Sequence, residues 1–318
     1  MSLRHINIPS VPWAHPPRCP KYDLATRLQT KLQESLLSWK AAGDKSAPPP
    51  APALITFTPA PTFTLGRRQD WPSQEQRKEM HKRLNVQTYR QTARATYSFI
   101  KPAIVRTPRG GLTTYHGPGQ VLFWPVIDMR SPLHKHFTVR EYVSLLEQTT
   151  IEAMRKAYDV EGFTDCDNPG VWAKRSRIVM GPEGEDMVLE DEPKKLASLG
   201  VHLRRHVTGL GIAVNFRMDL SDNHRDNPWV RIDPCGFDGS KVETIDRLAR
   251  SRIPLEDAVE TFIPTWAAEF ARRLGVANAE NPAAGPLIEA DNWTKWIMDL
   301  DLLDTADHGY EIARKRKH

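Results

Sequence analysis

Leucine recurs every fourth residue at Leu24, Leu28, Leu32 and Leu36, with Gln, Lys and Arg between. That spacing predicts an amphipathic helix over 21–40 with one buried stripe. A Pro- and Ala-rich connection at 47–53 leads to an alternating run, Leu54, Thr56 and Thr58 against Ile55 and Phe57, that reads as a strand. Residues 68–101 are polar and basic, with one short helix near 75–84, and read as an insertion or a lid outside the core. Residues 121–127 are nearly all apolar, the pattern of a strand buried on both faces. Thr138 and Glu141 spell a capping box. The helix they open buries Tyr142, Leu145, Leu146, Ala153, Met154 and Ala157. Residues 170–180 read as two short strands and 181–192 as an acidic exposed loop. Residues 195–216 read as strand-rich, with a turn at Gly209-Leu210-Gly211. Leu255, Val259, Phe262, Trp266 and Phe270 share a stripe on two helices, 254–262 and 264–274, each opened by Pro, with Gly275 as C-cap. There is no regular βα alternation. The pattern predicts a mixed α/β (α+β) fold in a single domain over 1–275, with insertions at about 43–53 and 68–105 and an extension over 276–318.

Composition narrows the class. Forty per cent of the 318 residues are hydrophobic, enough for a core, and no apolar run approaches the ~20 residues of a membrane span. Cys19, Cys166 and Cys235 lie far apart, which argues against a disulfide framework or a cysteine zinc site and fits a reducing compartment. Cys19 and Cys166 read as structural. The net charge of +5 suits docking of an acidic protein partner. The basic tail Arg314-Lys315-Arg316-Lys317 reads either as a nucleic-acid or nuclear signal or, more simply, as a solvated terminus. Arg4, Arg18 and Lys21 precede the first acidic residue, Asp23, in the manner of a mitochondrial presequence, although the segment is Pro-rich and has no amphipathic period.

Three stretches carry candidate chemistry. Arg109-Gly-Gly-Leu-Thr-Thr-Tyr-His-Gly-Pro-Gly-Gln120 places four glycines within ten residues, so backbone N–H groups can approach an acyl chain or an anion. Tight turns framing a hairpin explain it equally well. It is neither a Walker loop nor a dinucleotide fingerprint. In Asp233-Pro234-Cys235-Gly236 a thiol sits on a turn, either as a nucleophile needing a nearby cation or as an inert cysteine. In Lys194-Lys195-Leu-Ala-Ser-Leu-Gly200, Lys195 directly precedes an apolar run and is the better candidate to point inward. His116 is the one histidine inside a glycine-rich motif.

Together these residues resemble the octanoyltransferase family, also called lipoate-protein ligase B. Its R-G-G-x-x-T-Y-H-G-P-G-Q pattern is present without a gap as Arg109 to Gln120, and its T-L-G-R as Thr64 to Arg67. Pro169 to Trp172, Lys195 to Gly200, Leu210 to Asn215 and Pro234 to Gly236 follow in the family's order, so that the likeness covers roughly Ile6 to Leu274. Leu210 stands where the family has His, and the added segments resemble fungal members. The resemblance implies the fold of biotin and lipoate protein ligase catalytic domains. It implies octanoyl transfer from octanoyl-acyl carrier protein to a lysine of lipoyl domains, in 2-oxoacid dehydrogenase E2 subunits and the glycine cleavage H protein, through a Cys235 thioester assisted by Lys195. It implies substrate binding by Arg109, Gly110, Gly111, Leu112, Thr113, Thr114, Tyr115 and His116, by Ser198, Leu199 and Gly200, and by Gly211, Ile212 and Ala213. It also implies a mitochondrial location and no cofactor; a nucleic-acid partner would rest only on the basic tail and the basic 68–101 stretch and is not expected. An ATP-dependent lipoate or biotin ligase on the same fold is the alternative.

Overall fold

The computed structural model describes residues 2–10, 12, 17–43, 47–89, 95–180, 182, 185–232, 241–251, 253–254 and 256–277. Strand β1 (Arg4–Asn7) precedes helix α1 (Tyr22–Ala42), whose leucine stripe is buried as the spacing predicts. Strands β2 (Ala53–Phe57) and β3 (Thr62–Leu65) lead to α2 (Gln74–Met80), opened by a Ser73–Gln76 capping box. Next come β4 (Leu84–Tyr89), β5 (Ala95–Ile100), β6 (Ala103–Arg106), β7 (Thr114–His116) and β8 (Gln120–Val126). Helix α3 (Val139–Tyr158) starts at the expected Thr138–Glu141 capping box. The short β9 (Phe163–Thr164) and β10 (Gly170–Ala173) follow, then β11 (Ser176–Met180), β12 (Asp186–Glu190), β13 (Lys194–Arg204) and β14 (Val207–Asn215). A short α4 (Ile245–Leu248) and α5 (Ile263–Leu274) close the described part, with Gly275 as the C-cap of α5.

A seven-stranded sheet runs β1-β2-β8-β14-β13-β10-β9, parallel at β1–β2 and antiparallel elsewhere. Every residue of β8 is buried. Its side chains alternate between two cores: Leu122, Trp124 and Val126 pack with α1, while Val121 and Phe123 pack with α3 and α5. Phe123 stacks on Trp266 at 4.3 Å between ring centroids, and Trp266 stacks on Phe270 at 5.2 Å. The buried Trp266 indole N–H donates to Thr150 Oγ1 at 2.9 Å, so the large ring leaves no unpaired donor. A smaller sheet, β6-β3-β7, sits beside this layer.

Five expectations change. The 68–101 stretch is not peripheral: Met80 and Leu84 join Phe63, Leu65, Tyr115 and Trp229 in a third core, and β4 and β5 form a hairpin. Its polar composition hid short strands with one apolar face. The acidic 181–192 stretch contains β12, which pairs with β11 as an exposed ribbon. The turn between β13 and β14 falls at Arg205 and His206, both at positive φ, and Gly209 to Gly211 lies inside β14. The Pro-opened helix over 254–262 is a π-helical turn, Ala258–Phe262, running directly into α5. Of its predicted stripe, Leu255 lies outside the described residues. Cys166 is exposed and so has no part in the core.

Glu269 on α5 ties the last helices together. Its buried carboxylate accepts from Arg272 (2.6 Å), Lys156 (3.0 Å) and Arg273. Hydrogen bonding to Arg272, against the cost of burial and helped by Lys156 and Arg273, holds the carboxyl pKa down to about 2. A depressed carboxylate stabilises the fold above its unfolded pKa, and the contribution is lost as pH falls through the folded value. Glu269→Gln is therefore expected to lower the urea midpoint at pH 7, with the gap to the unsubstituted protein closing between about pH 4.5 and 2. A gap independent of pH would contradict this.

Candidate functional site

Lys195 is half-buried near the start of β13. Its ammonium lies 5.1 Å over the Trp172 ring, a cation–π contact. Its backbone carbonyl accepts from Glu243 N–H (3.0 Å) and from Asn215 Nδ2 (3.3 Å). Val242 forms a parallel bridge with it. The lysine stem lies across Gly170 (φ 133°), where a Cβ would come 2.8 Å from Lys195 Cε and would also strike the Ala197 carbonyl. Glu147 of α3 fixes this glycine by accepting its N–H at 2.7 Å. Burial raises the Glu147 pKa, and the Gly170 hydrogen bond and the Lys195 charge oppose that rise.

From Lys195, β13 and β14 carry small residues on successive rungs of one face. Ser198 pairs with Ala213, and Gly200 with Gly211. At Gly200 a Cβ would lie 2.7 Å from Arg109 Cδ, so the glycine lets the arginine stem lie flat on the sheet. Arg109 is buried and held by Thr64, whose carbonyl and hydroxyl accept from Nη2 at 2.7 and 2.9 Å. Opposite these rungs stand three rings. Tyr22 stacks on His116 (5.6 Å, 18°) and meets Trp124 edge-on (5.1 Å). The groove between encloses about 380 Å3, including its open mouth.

Burial, reinforced by the Arg109 charge and opposed by its bond to Gln120, holds the His116 pKa down to about 3, so the ring is neutral at physiological pH. Gln120 Nε2 donates to Asn215 Oδ1 (2.7 Å), which leaves Gln120 Oε1 to accept from His116 Nδ1 (3.2 Å). This assignment leaves His116 Nε2 as an acceptor. A continuous chain thus runs His116–Gln120–Asn215–Lys195 carbonyl.

Of the residues proposed from sequence, the groove gathers Arg109, Thr114, His116, Ser198, Leu199, Gly200, Gly211, Ile212 and Ala213. Tyr115 alternates to the other side of β7 and packs edge-on against Phe63 and Trp229. The turn holding Gly110 to Thr113 is pinned to the end of β3, where Arg67 N–H bonds to the Arg109 carbonyl (2.8 Å) and Gly66 N–H to that of Leu112 (3.3 Å). Cys235 lies outside the described residues. Sequence reading missed Tyr22, Trp124 and Leu210 as groove walls. Only Leu210 carried a signal, as a departure from the family pattern. A larger cavity, of about 1110 Å3 including its open mouth, lies between the β4–β5 hairpin and residues 217–228. Polar groups there already bond one another: Asn85 to Asp226 at 2.8 Å, and Arg217 to Asp246 at 3.5 Å. Gly170→Ala is expected to cost ~1–3 kcal/mol, since alanine must adopt a rare φ and displace the lysine stem. Urea unfolding checks it, and an unchanged midpoint would contradict the packing.

A family model, the lipoyl protein ligase A/B catalytic domain, matches residues 26–267. A probable octanoyltransferase of Schizosaccharomyces pombe is 34% identical over 199 residues, covering 63% of this chain and 71% of the relative. An octanoyltransferase of Cellvibrio japonicus is 33% identical over 172 residues, covering 54% of this chain and 65% of the relative. The matches thus span about two thirds of these relatives. In fold, the chain is similar to a bipartite lipoate protein ligase of Thermoplasma acidophilum, at TM-score 0.50 and 12% identity over 88% of this chain and 87% of that one. The chain therefore belongs to the lipoyl protein ligase A/B catalytic-domain family, an enzyme family in which its similar relatives are named octanoyltransferases.

Proposed function

We propose that the protein transfers an octanoyl group from acyl carrier protein to a lysine of a lipoyl domain. One observation carries the reading: a groove floored by small residues and walled by rings leads away from a half-buried lysine. Such a groove takes an unbranched acyl chain, whose burial gains ~0.8 kcal/mol per methylene. Small rungs admit the chain, and the neutral His116 adds no charge to its surroundings. The octanoyltransferase relatives support the same substrate. The likeness to fungal members is also the basis for placing the protein in the mitochondrion.

In the proposed mechanism the Cys235 thiolate attacks the thioester carbonyl. The tetrahedral adduct collapses, the carrier leaves as a thiol after taking a proton, and an octanoyl-enzyme thioester remains. The neutral amine of the lipoyl-domain lysine then attacks that thioester. An amide forms, the C–S bond breaks, and Cys235 is released. The Lys195 ammonium would stabilise the Cys235 thiolate and protonate the departing carrier thiolate; as the neutral amine it would then take the proton that the lipoyl-domain lysine loses as the amide forms, with Cys235 leaving as the thiolate. Val242, which pairs with Lys195, follows Cys235 by seven residues, a short tether between the two.

Incubation with octanoyl-acyl carrier protein, without ATP, is expected to add the mass of one octanoyl group, and Cys235→Ala to abolish the adduct. An adduct that needs ATP would favour the ligase reading instead. Lys195→Ala is expected to slow transfer by about 10²–10⁴-fold with a near-unchanged thermal midpoint. Full activity in that variant would remove the lysine from the mechanism.

A further inference from the structure

We infer that Leu210 is the far wall of the acyl groove and sets the longest chain the protein accepts; the inference rests on the octanoyl-transfer reading above. Leu210 is buried inside β14 at φ 58°, a conformation that crowds a leucine side chain against its own backbone. The reason lies across the ladder. Ile212 pairs with Phe123, and Thr208 N–H donates to the Ile127 carbonyl, so the register places Pro125 opposite Leu210. Proline has no N–H with which to close that rung. The Pro125 carbonyl is taken instead by the Thr208 hydroxyl (2.8 Å), and Leu210 N–H turns to Gln29 Oε1 on α1 (2.5 Å).

The turn changes which face receives the side chain. Ile212 and Val214 belong to the core under α3 and α5, and regular alternation would send Leu210 there too. It lies instead in the α1 core with Tyr22, Trp124 and Ala213, on the groove side. A strained residue held by partners on two elements, with its side chain moved into a site, marks a wall that sequence periodicity alone would not build.

Its depth fits the chain. From the Ser198–Ala213 rung, the Gly200–Gly211 rung and then the Val201–Leu210 rung follow. Three residue steps at ~3.3 Å make roughly 10 Å. Seven C–C bonds of an extended octanoyl group, advancing ~1.3 Å each, reach about 9 Å. A chain entering at Ser198 therefore ends against Leu210.

The test uses full-length protein with hexanoyl-, octanoyl- and decanoyl-acyl carrier protein. Leu210→Gly relieves the unfavourable φ and empties the wall. It is expected to raise the decanoyl-to-octanoyl ratio of kcat/KM by about tenfold or more. Leu210→Phe thickens the wall and is expected to shift preference toward hexanoyl. Should the glycine variant fail to fold, the phenylalanine variant tests the wall in the opposite direction. Unchanged ratios in folded, active variants overturn the role of Leu210 while leaving transfer intact. No acylation of the unsubstituted protein by any of the three chains overturns octanoyl transfer itself, and the inference with it.

Discussion

Strand β8 has no water on either side, and that constraint shapes the rest of the molecule. Each of its side chains must meet a core, so α1 covers one face while α3 and α5 cover the other. A sheet covered on both faces can admit a ligand only where its own side chains are small or displaced. The chain supplies that space next door, at Gly200, Gly211 and Ala213, without opening the aromatic stack of Phe123, Trp266 and Phe270 on the opposite face. The groove is thus a thinning of one core layer.

The polar part of the site obeys the same rule. Buried amides and an imidazole are tolerable only when paired, and the chain from His116 through Gln120 and Asn215 to the Lys195 carbonyl satisfies them in sequence. The strand that carries the lysine is thereby joined to the motif that walls the groove. Glu147 and Gly170 complete the setting from the other side, one by a hydrogen bond and the other by having no side chain.

Much of this was legible in the sequence. The leucine spacing gave α1, the apolar run gave β8, and the Thr138–Glu141 box fixed the start of α3, because each depends on local periodicity or capping. Arg109, Thr114, His116 and the small residues of β13 and β14 were found through an uninterrupted motif. What escaped depends on pairing between distant segments. Nothing near 68–101 announces that Met80 and Leu84 meet Trp229. Glycines flanking Leu210 spell a turn in the sequence. The leucine's actual state, a left-handed residue within a strand, is imposed by Pro125 on the neighbouring strand and by Gln29 on α1. Tyr115 was grouped with His116 by the motif, yet strand alternation sends the two to opposite sides.

The central claim is that the acyl chain lies on the small-residue rungs of β13 and β14. A crystal structure of the protein carrying an octanoyl group tests it most directly. The chain is expected between the Tyr22–Trp124 wall and the Gly200–Gly211 rung, with its methyl end at Leu210. Octanoyl density in the larger cavity beside the β4–β5 hairpin, with the groove left empty, would contradict it.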